Sequence, residues 1–454
     1  MFVSINSATG ETIASHPETS PDEVRAALRR AERCWQAWRR TSFAERAEML
    51  RKAAELLRAR HDEYGRLMAA EMGKPIASGR GEADKCATAC EYYAEHGERL
   101  LADRPVATDA SRSYVHCEPL GPVLAVMPWN FPFWQVIRFA APALMAGNVA
   151  ILKHAANVPG CALALQVLFR DAGFPDGAFT TLLIDHAQLR SVIRSRTVRA
   201  VTLTGSTAAG RAIAKLAGDR IKKTVLELGG SDPYLILHDA DLELAVETCV
   251  TSRLINSGQS CIAAKRFVVV DAVRHEFEAR FVERMRKARM GDPLDETNDV
   301  GPQARVDLRD ALHDQVERSV AKGARCLLGG SIPDRAGAWY PPTVLTDVAK
   351  GMAAYQEELF GPVAAIIPVR NERAAIRVAN DSAFGLGAAV FTRDVERGER
   401  IAATELEAGA CFVNTLVRSD ARLPFGGIKE SGYGRELSAE GIREFVNVKT
   451  VWVA

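Results

Sequence analysis

From about residue 119 onward, short apolar runs bounded by turn residues alternate with helical stretches, and this alternation limits the fold more than any other feature. The segments 122–127, 148–153, 198–203, 224–228 and 233–237 read as buried strands, each a brief run rich in Val, Ile and Leu. Helical patterns fall between them, at 134–147, 161–173 and 209–218. Strand, helix, strand in repetition predicts parallel pairing and a doubly wound α/β sheet. Such sheets bind ligands beyond the carboxyl ends of their strands.

The rest of the chain adds helices in front and a second α/β stretch behind. Ser20-Pro21-Asp22-Glu23 is a capping box with proline at the first helical position. Behind it Val24, Leu28, Ala31, Trp35 and Trp38 mark one helix face. Ser42 and Glu45 form a second box, predicting one long helix to about residue 73. After the turn Asp239-Ala-Asp241, a helix near 243–255, a strand at 266–270, a helix near 274–290 and strands near 363–369 and 388–392 are expected. At 454 residues the chain exceeds one ordinary core, and a domain border near 238–241 follows.

Charge narrows the partners. Lys and Arg number 58 against 57 Asp and Glu, which supplies no basic excess for nucleic acid or a membrane surface. No run of about 18 apolar residues occurs, and the N-terminus lacks a basic segment followed by an apolar one. The nine cysteines show no framework spacing and no metal-ligand pattern, so a reducing cytoplasm is expected. Cys86 and Cys90, four apart, read as thiols on a helix.

Four places could carry chemistry. Cys261 follows Ser257-Gly-Gln-Ser260, which puts the thiol on a turn after a helix, where a thiolate could attack a carbonyl. Glu227 ends an apolar strand before Gly229 and Gly230; a buried carboxylate there would have a raised pKa and serve as a general base. Asn130, in Pro128-Trp-Asn-Phe-Pro132, could donate to an oxyanion. Gly205-Ser-Thr-Ala-Ala-Gly210 follows a strand and opens a helix, the place for a dinucleotide pyrophosphate, although it is not the common GxGxxG pattern. Singly, each has an ordinary structural reading: a buried thiol, a solvent-facing glutamate, two turns.

Together these segments, with Ile151-Leu-Lys153, Thr204-Gly-Ser206, Leu226-Glu-Leu-Gly-Gly230, Gly258-Gln-Ser-Cys261, Glu358-Leu-Phe-Gly-Pro362 and Pro424-Phe-Gly-Gly427, resemble the aldehyde dehydrogenase superfamily over nearly the whole chain. Leu152-Lys-His-Ala155, Ser419-Asp-Ala-Arg422 and the compact length are similar to the shorter bacterial succinate-semialdehyde dehydrogenases.

The resemblance implies an NAD(P)-dependent oxidation of succinate semialdehyde to succinate, within 4-aminobutyrate degradation. It assigns Cys261 as nucleophile, Asn130 as oxyanion donor and Glu227 as the base that directs water onto a thioester. It assigns the cofactor, NAD or NADP, to Trp129, Lys153, Ala156, Thr204, Gly205, Ser206, Leu228, Glu358 and Phe360. Ala156 stands where many NAD-preferring relatives have a glutamate, so a 2′-phosphate meets no carboxylate there. Arg138 and Ser419 are implied for the distal carboxylate of the substrate, whereas Ile255 stands where another enzyme type has a second arginine; Arg253 or Arg418 could compensate. It implies a Rossmann-type cofactor domain (1–111 and 133–238), an α/β catalytic domain (239–434), and oligomerisation elements (112–132 and 435–454) of a homodimer or homotetramer. The alternatives are another aldehyde by the same mechanism, transfer of the thioester to coenzyme A, against which Glu227 stands, and a non-catalytic protein that kept the fold.

Overall fold

A computed structural model describes residues 1–454. The alternation produces a six-stranded sheet in the order Gly432–Tyr433, Lys223–Glu227, Ala200–Thr204, Pro122–Met127, Val149–His154, Phe179–Thr181. The last five are parallel and Gly432–Tyr433 pairs antiparallel. The chain starts in the middle at Pro122–Met127, winds outward one way, then returns to lay down Ala200–Thr204 on the other side. The order therefore reverses between Pro122–Met127 and Ala200–Thr204, and that switch point leaves a crevice at the strands' carboxyl ends.

A second, seven-stranded sheet runs Arg325–Leu328, Thr343–Thr346, Val363–Val369, Arg266–Val270, Pro233–Ile236, Gly387–Phe391, Ala410–Val413. Leu235 and Val268 enter one hydrophobic cluster, and Tyr234, Ile236 and Phe267 enter another. Alternate residues thus feed opposite faces, and both faces are covered, as parallel strands require. The third sheet is small: Val446–Val453 pairs with Arg112–Pro119, which pairs with Arg104–Pro105.

Three expectations need correcting. The stretch 112–132 is not one element: Arg112–Pro119 lies in the small sheet, but Pro122–Met127 is a central strand of the six-stranded one. The border near 238–241 moves back, because Pro233–Ile236 pairs with Arg266–Val270 in the second sheet. The chain crosses between sheets at Gly229–Asp232, a change that an apolar run cannot announce. The long helix after Ser42 is two, Phe43–Ala59 and His61–Met72, turned at Arg60 (φ −109°, ψ 17°) while the apolar period continues through. Both capping boxes form as read. The hairpin Phe2–Ile5/Thr12–His16 and the extent of helix Ile76–Leu101 were not read in advance. Cys86 and Cys90 are buried on that helix.

Candidate active site

Cys261 stands at the seam between the sheets. Helix Leu242–Leu254 ends, and the backbone turns through Asn256, Ser257 and Gly258, with φ of 52°, 57° and 77°. Two of these are not glycine, so the turn carries strain that its surroundings must hold. They do so by reciprocal clamping with the Asn130 loop. Asn256 Nδ2 donates to the carbonyl of Asn130 at 2.7 Å, and Asn130 Nδ2 donates to the carbonyl of Gln259 at 3.0 Å. Gln135 Nε2 donates to Asn130 Oδ1 at 3.1 Å, which fixes which way the Asn130 amide faces. An amide nitrogen has two N–H groups, and Gln259 takes one. The Cys261 sulfur is half-buried, and burial pushes its thiol up to about 12, although Arg138 and Lys265 pull it down. Lys265 Nζ donates to the carbonyls of Ser260 and Cys261 at 2.9 and 2.7 Å, pinning the backbone at the thiol.

Glu227 ends the Lys223–Glu227 strand, buried, with Oε1 lacking any hydrogen-bond partner. Burial holds its carboxyl well above the usual carboxylate range, opposed by Arg138. The glycines after it permit a close approach: a Cβ on Gly230 would sit 2.7 Å from the Cys261 carbonyl oxygen.

The cofactor candidates gather around the switch point. Lys153 is next to last in its strand, Thr204 closes its own, and Ser206 caps helix Thr207–Gly218, its hydroxyl accepting from Ala209 N–H at 3.3 Å. Leu228 packs where a Cβ on Gly210 would fall within 2.6 Å of it, so this helix start lies tight against the strand end. The rings of Trp129 and Phe360 meet edge-on at 5.7 Å. Glu358 accepts from Gly230 N–H at 3.0 Å and lies 3.4 Å from Lys265. Ala156 is exposed. The helix start offers unpartnered N–H groups to an anion, and no carboxylate occupies position 156, so these residues fit a dinucleotide with or without a 2′-phosphate.

Cys261, Asn256, Gln135, Arg138, Ile255 and Ser419 all line one cavity of about 280 Å³. Arg138 is not free within it. Its guanidinium is ion-paired with Glu436, lies over the Phe425 ring and donates to Thr204 Oγ1 at 3.3 Å. Arg253 is fully buried and donates to the Gly258 carbonyl at 2.6 Å, so it braces the Cys261 turn and does not line the cavity. Lys85 does line it, with Nζ 2.8 Å from Ser419 Oγ. Nothing in the sequence singles it out, because the partner that places it, Ser419, lies 334 residues away.

The sequence profile of the aldehyde dehydrogenase family matches residues 1–451. This chain belongs to that family. It is 51% identical over 453 residues to the probable succinate-semialdehyde dehydrogenase [NADP(+)] of Synechocystis sp., with all of both chains covered. It is 48% identical to the Escherichia coli succinate semialdehyde dehydrogenase [NAD(P)+] Sad, covering 99% of this chain and 97% of that one. The crystal structure of succinic semialdehyde dehydrogenase from Streptococcus pyogenes in complex with NADP+ superposes with a TM-score of 0.98 at 36% identity, each chain fully covered. The α/β aldehyde dehydrogenase fold is thus established, with the crevice and Cys261 on facing sides of the seam.

Proposed function

We propose that this aldehyde dehydrogenase oxidises succinate semialdehyde to succinate with NAD(P), and that Cys261, Asn130 and Glu227 do the chemistry. One observation carries the reading: a single cavity is lined both by Cys261 and by cationic and hydroxyl-bearing side chains, Lys85, Arg418 and Ser419. The names of relatives half identical over the full chain point the same way.

Cys261 sulfur attacks the aldehyde carbon, and the thiol proton leaves toward Glu227 or water. The remaining Asn130 N–H stabilises the oxyanion as charge gathers on it. The contribution required of a bound dinucleotide is to accept the hydride whose loss turns the tetrahedral adduct into a thioester. Lys153, Ser206 and Glu358 would hold that group, with Trp129 and Phe360 beside it. Glu227, its pKa lifted by burial and any thiol proton passed on to solvent, then takes a proton from water as the water oxygen bonds to the thioester carbon; the carbon–sulfur bond breaks, succinate leaves, and Glu227 returns its proton to the Cys261 thiolate. The exposed Ala156 supports NADP as well as NAD. The nine free thiols suit a reducing cytoplasm, and the structure has no helix long and apolar enough to cross a membrane. The apolar edge strand Val446–Val453 is the proposed surface for pairing with a second copy.

An aldehyde panel assayed with NAD and with NADP tests the reading. Succinate semialdehyde is expected to exceed uncharged aldehydes of equal length in kcat/KM; equal values overturn the substrate assignment. Cys261→Ala is expected to abolish oxidation. Glu227→Gln is expected to keep a single-turnover burst and lose steady turnover by about 10²–10⁴-fold; a variant without a burst, or with normal turnover, removes Glu227 from the deacylation step.

A further inference from the structure

The cavity needs a cation for a carboxylated aldehyde, and three arginines near it are poorly placed to provide one. Arg138 is neutralised by Glu436, Arg253 is buried beneath the Cys261 turn, and Arg418, although it lines the cavity, is exposed, so water screens its charge. Ile255 contributes only apolar wall.

We propose that the Lys85 ammonium, together with the Ser419 hydroxyl, receives the distal carboxylate of the substrate and sets the preference for carboxylated over neutral aldehydes. This rests on the function proposed above and names the group that delivers its specificity. Lys85 sits on helix Ile76–Leu101 in line with Ser78, Gly81 and Glu82, the three- and four-residue steps of one helical face turned to the cavity. At Gly81 an added Cβ would meet nothing within 4 Å, so the cavity reaches down to the helix backbone beside Lys85.

The ammonium is held but not neutralised. It lies 4.3 Å from the centre of the Trp134 ring and donates to Ser419 Oγ. Because that oxygen accepts from Lys85, the Ser419 proton is left to donate elsewhere. The charged and titratable groups around it are spoken for: Glu82 pairs with Lys74, Asp420 with Arg422 at 2.7 Å, and Arg138 with Glu436, while Cys86 and Tyr92 are protonated neighbours on the same helix. A half-buried ammonium without a counter-ion is costly until an anion arrives. Burial, and then Arg138, bring Lys85 down to about 8. Lys85, Trp134 and Ser419 also line a second, outer cavity of about 570 Å³. The cation therefore stands at the junction of the two, where the charged end of a substrate keeps contact with water while its aldehyde reaches Cys261.

The test compares succinate semialdehyde with butanal, the same four carbons without the carboxylate, in the wild type, Lys85→Met and Lys85→Arg. Lys85→Met is expected to raise the KM for succinate semialdehyde by about tenfold to a hundredfold, the loss of one charge-assisted bond, with the KM for butanal within about threefold. Lys85→Arg is expected to recover most of the loss. The wild-type KM for succinate semialdehyde should climb as pH rises through about 8, with no such rise for butanal, and Lys85→Arg should move the climb to higher pH. A Lys85→Met enzyme that keeps the wild-type preference, or loses both substrates equally, overturns the assignment, as does a tenfold KM rise in Arg418→Ala alone. A wild type that does not prefer succinate semialdehyde overturns the proposed function instead.

Discussion

His154 shows how one side chain sets the ground on which Asn130 stands. Its Nδ1 accepts from Ala155 N–H at 2.9 Å, so Nε2 carries the proton and donates to the Pro132 carbonyl at 2.9 Å. That ties the end of the Val149–His154 strand to the Asn130 loop; the Pro132 and Met127 carbonyls favour a charged ring, and burial overrides them. Burial depresses the imidazole from 6.5 to about 4. The unfolded chain therefore binds a proton that the native protein refuses between those values, and stability falls as pH drops from about 6.5 to about 4, by up to about 3 kcal/mol. Denaturant unfolding of wild type and His154→Gln at several pH values should show a shallower acid slope in the variant; parallel slopes would assign the acid loss to other groups. Cys261, Glu227 and Asn130 could be singled out as candidates because each lies in a short motif with its neighbours in sequence. Lys85 could not, since its surroundings are Trp134 and Ser419, and Ser419 is 334 residues away in sequence.

At the scale of elements, caps separate what could be read from what could not. Ser20 and Ser42 find their partners three residues on, so both helix starts were visible. Helix Trp134–Met145 has no local cap. Its starting N–H groups, those of Phe133 and Trp134, both donate to Glu82 Oε1 at 2.9 Å, and the other carboxylate oxygen of Glu82 pairs with the buried Lys74. Glu71 does the same for helix Pro159–Asp171, accepting from Gly160 and Cys161 N–H at 2.9 Å. Each carboxylate meets the positive end of a helix. Glu82→Gln is expected to cost about 3–5 kcal/mol, because Lys74 keeps its charge and loses its counter-ion in a dry site. Chemical denaturation measures it, and a loss under about 1 kcal/mol would mean that Lys74 sheds its proton instead. Gly81→Ala should do the opposite, adding about 0.5–1 kcal/mol, since the helix gains a better former and nothing obstructs the methyl group.

At the scale of the molecule, alternating strands and helices announced the doubly wound sheet but not where the chain changes sheets, because a buried strand reads alike in either. The small sheet has one open edge. Along Val446–Val453, Val448 and Trp452 are 61% and 53% exposed, apolar surface on a strand paired along one edge only. If this edge pairs two copies, Val448→Lys with Trp452→Glu is expected to lower the wild-type mass in light scattering; an unchanged mass rules out this edge as the subunit contact. The strand Gly432–Tyr433 has a different consequence. It seals the edge of the first sheet at Glu227, Ser431 accepts from Leu228 N–H, and Glu436 reaches back to Arg138. During synthesis on the ribosome, Cys261 and Glu227 thus emerge long before the segment that closes the pocket around them. A nascent chain that has reached only Cys261 therefore carries both side chains without the segment that encloses them, and the pocket takes shape only once residues 431–436 have been made.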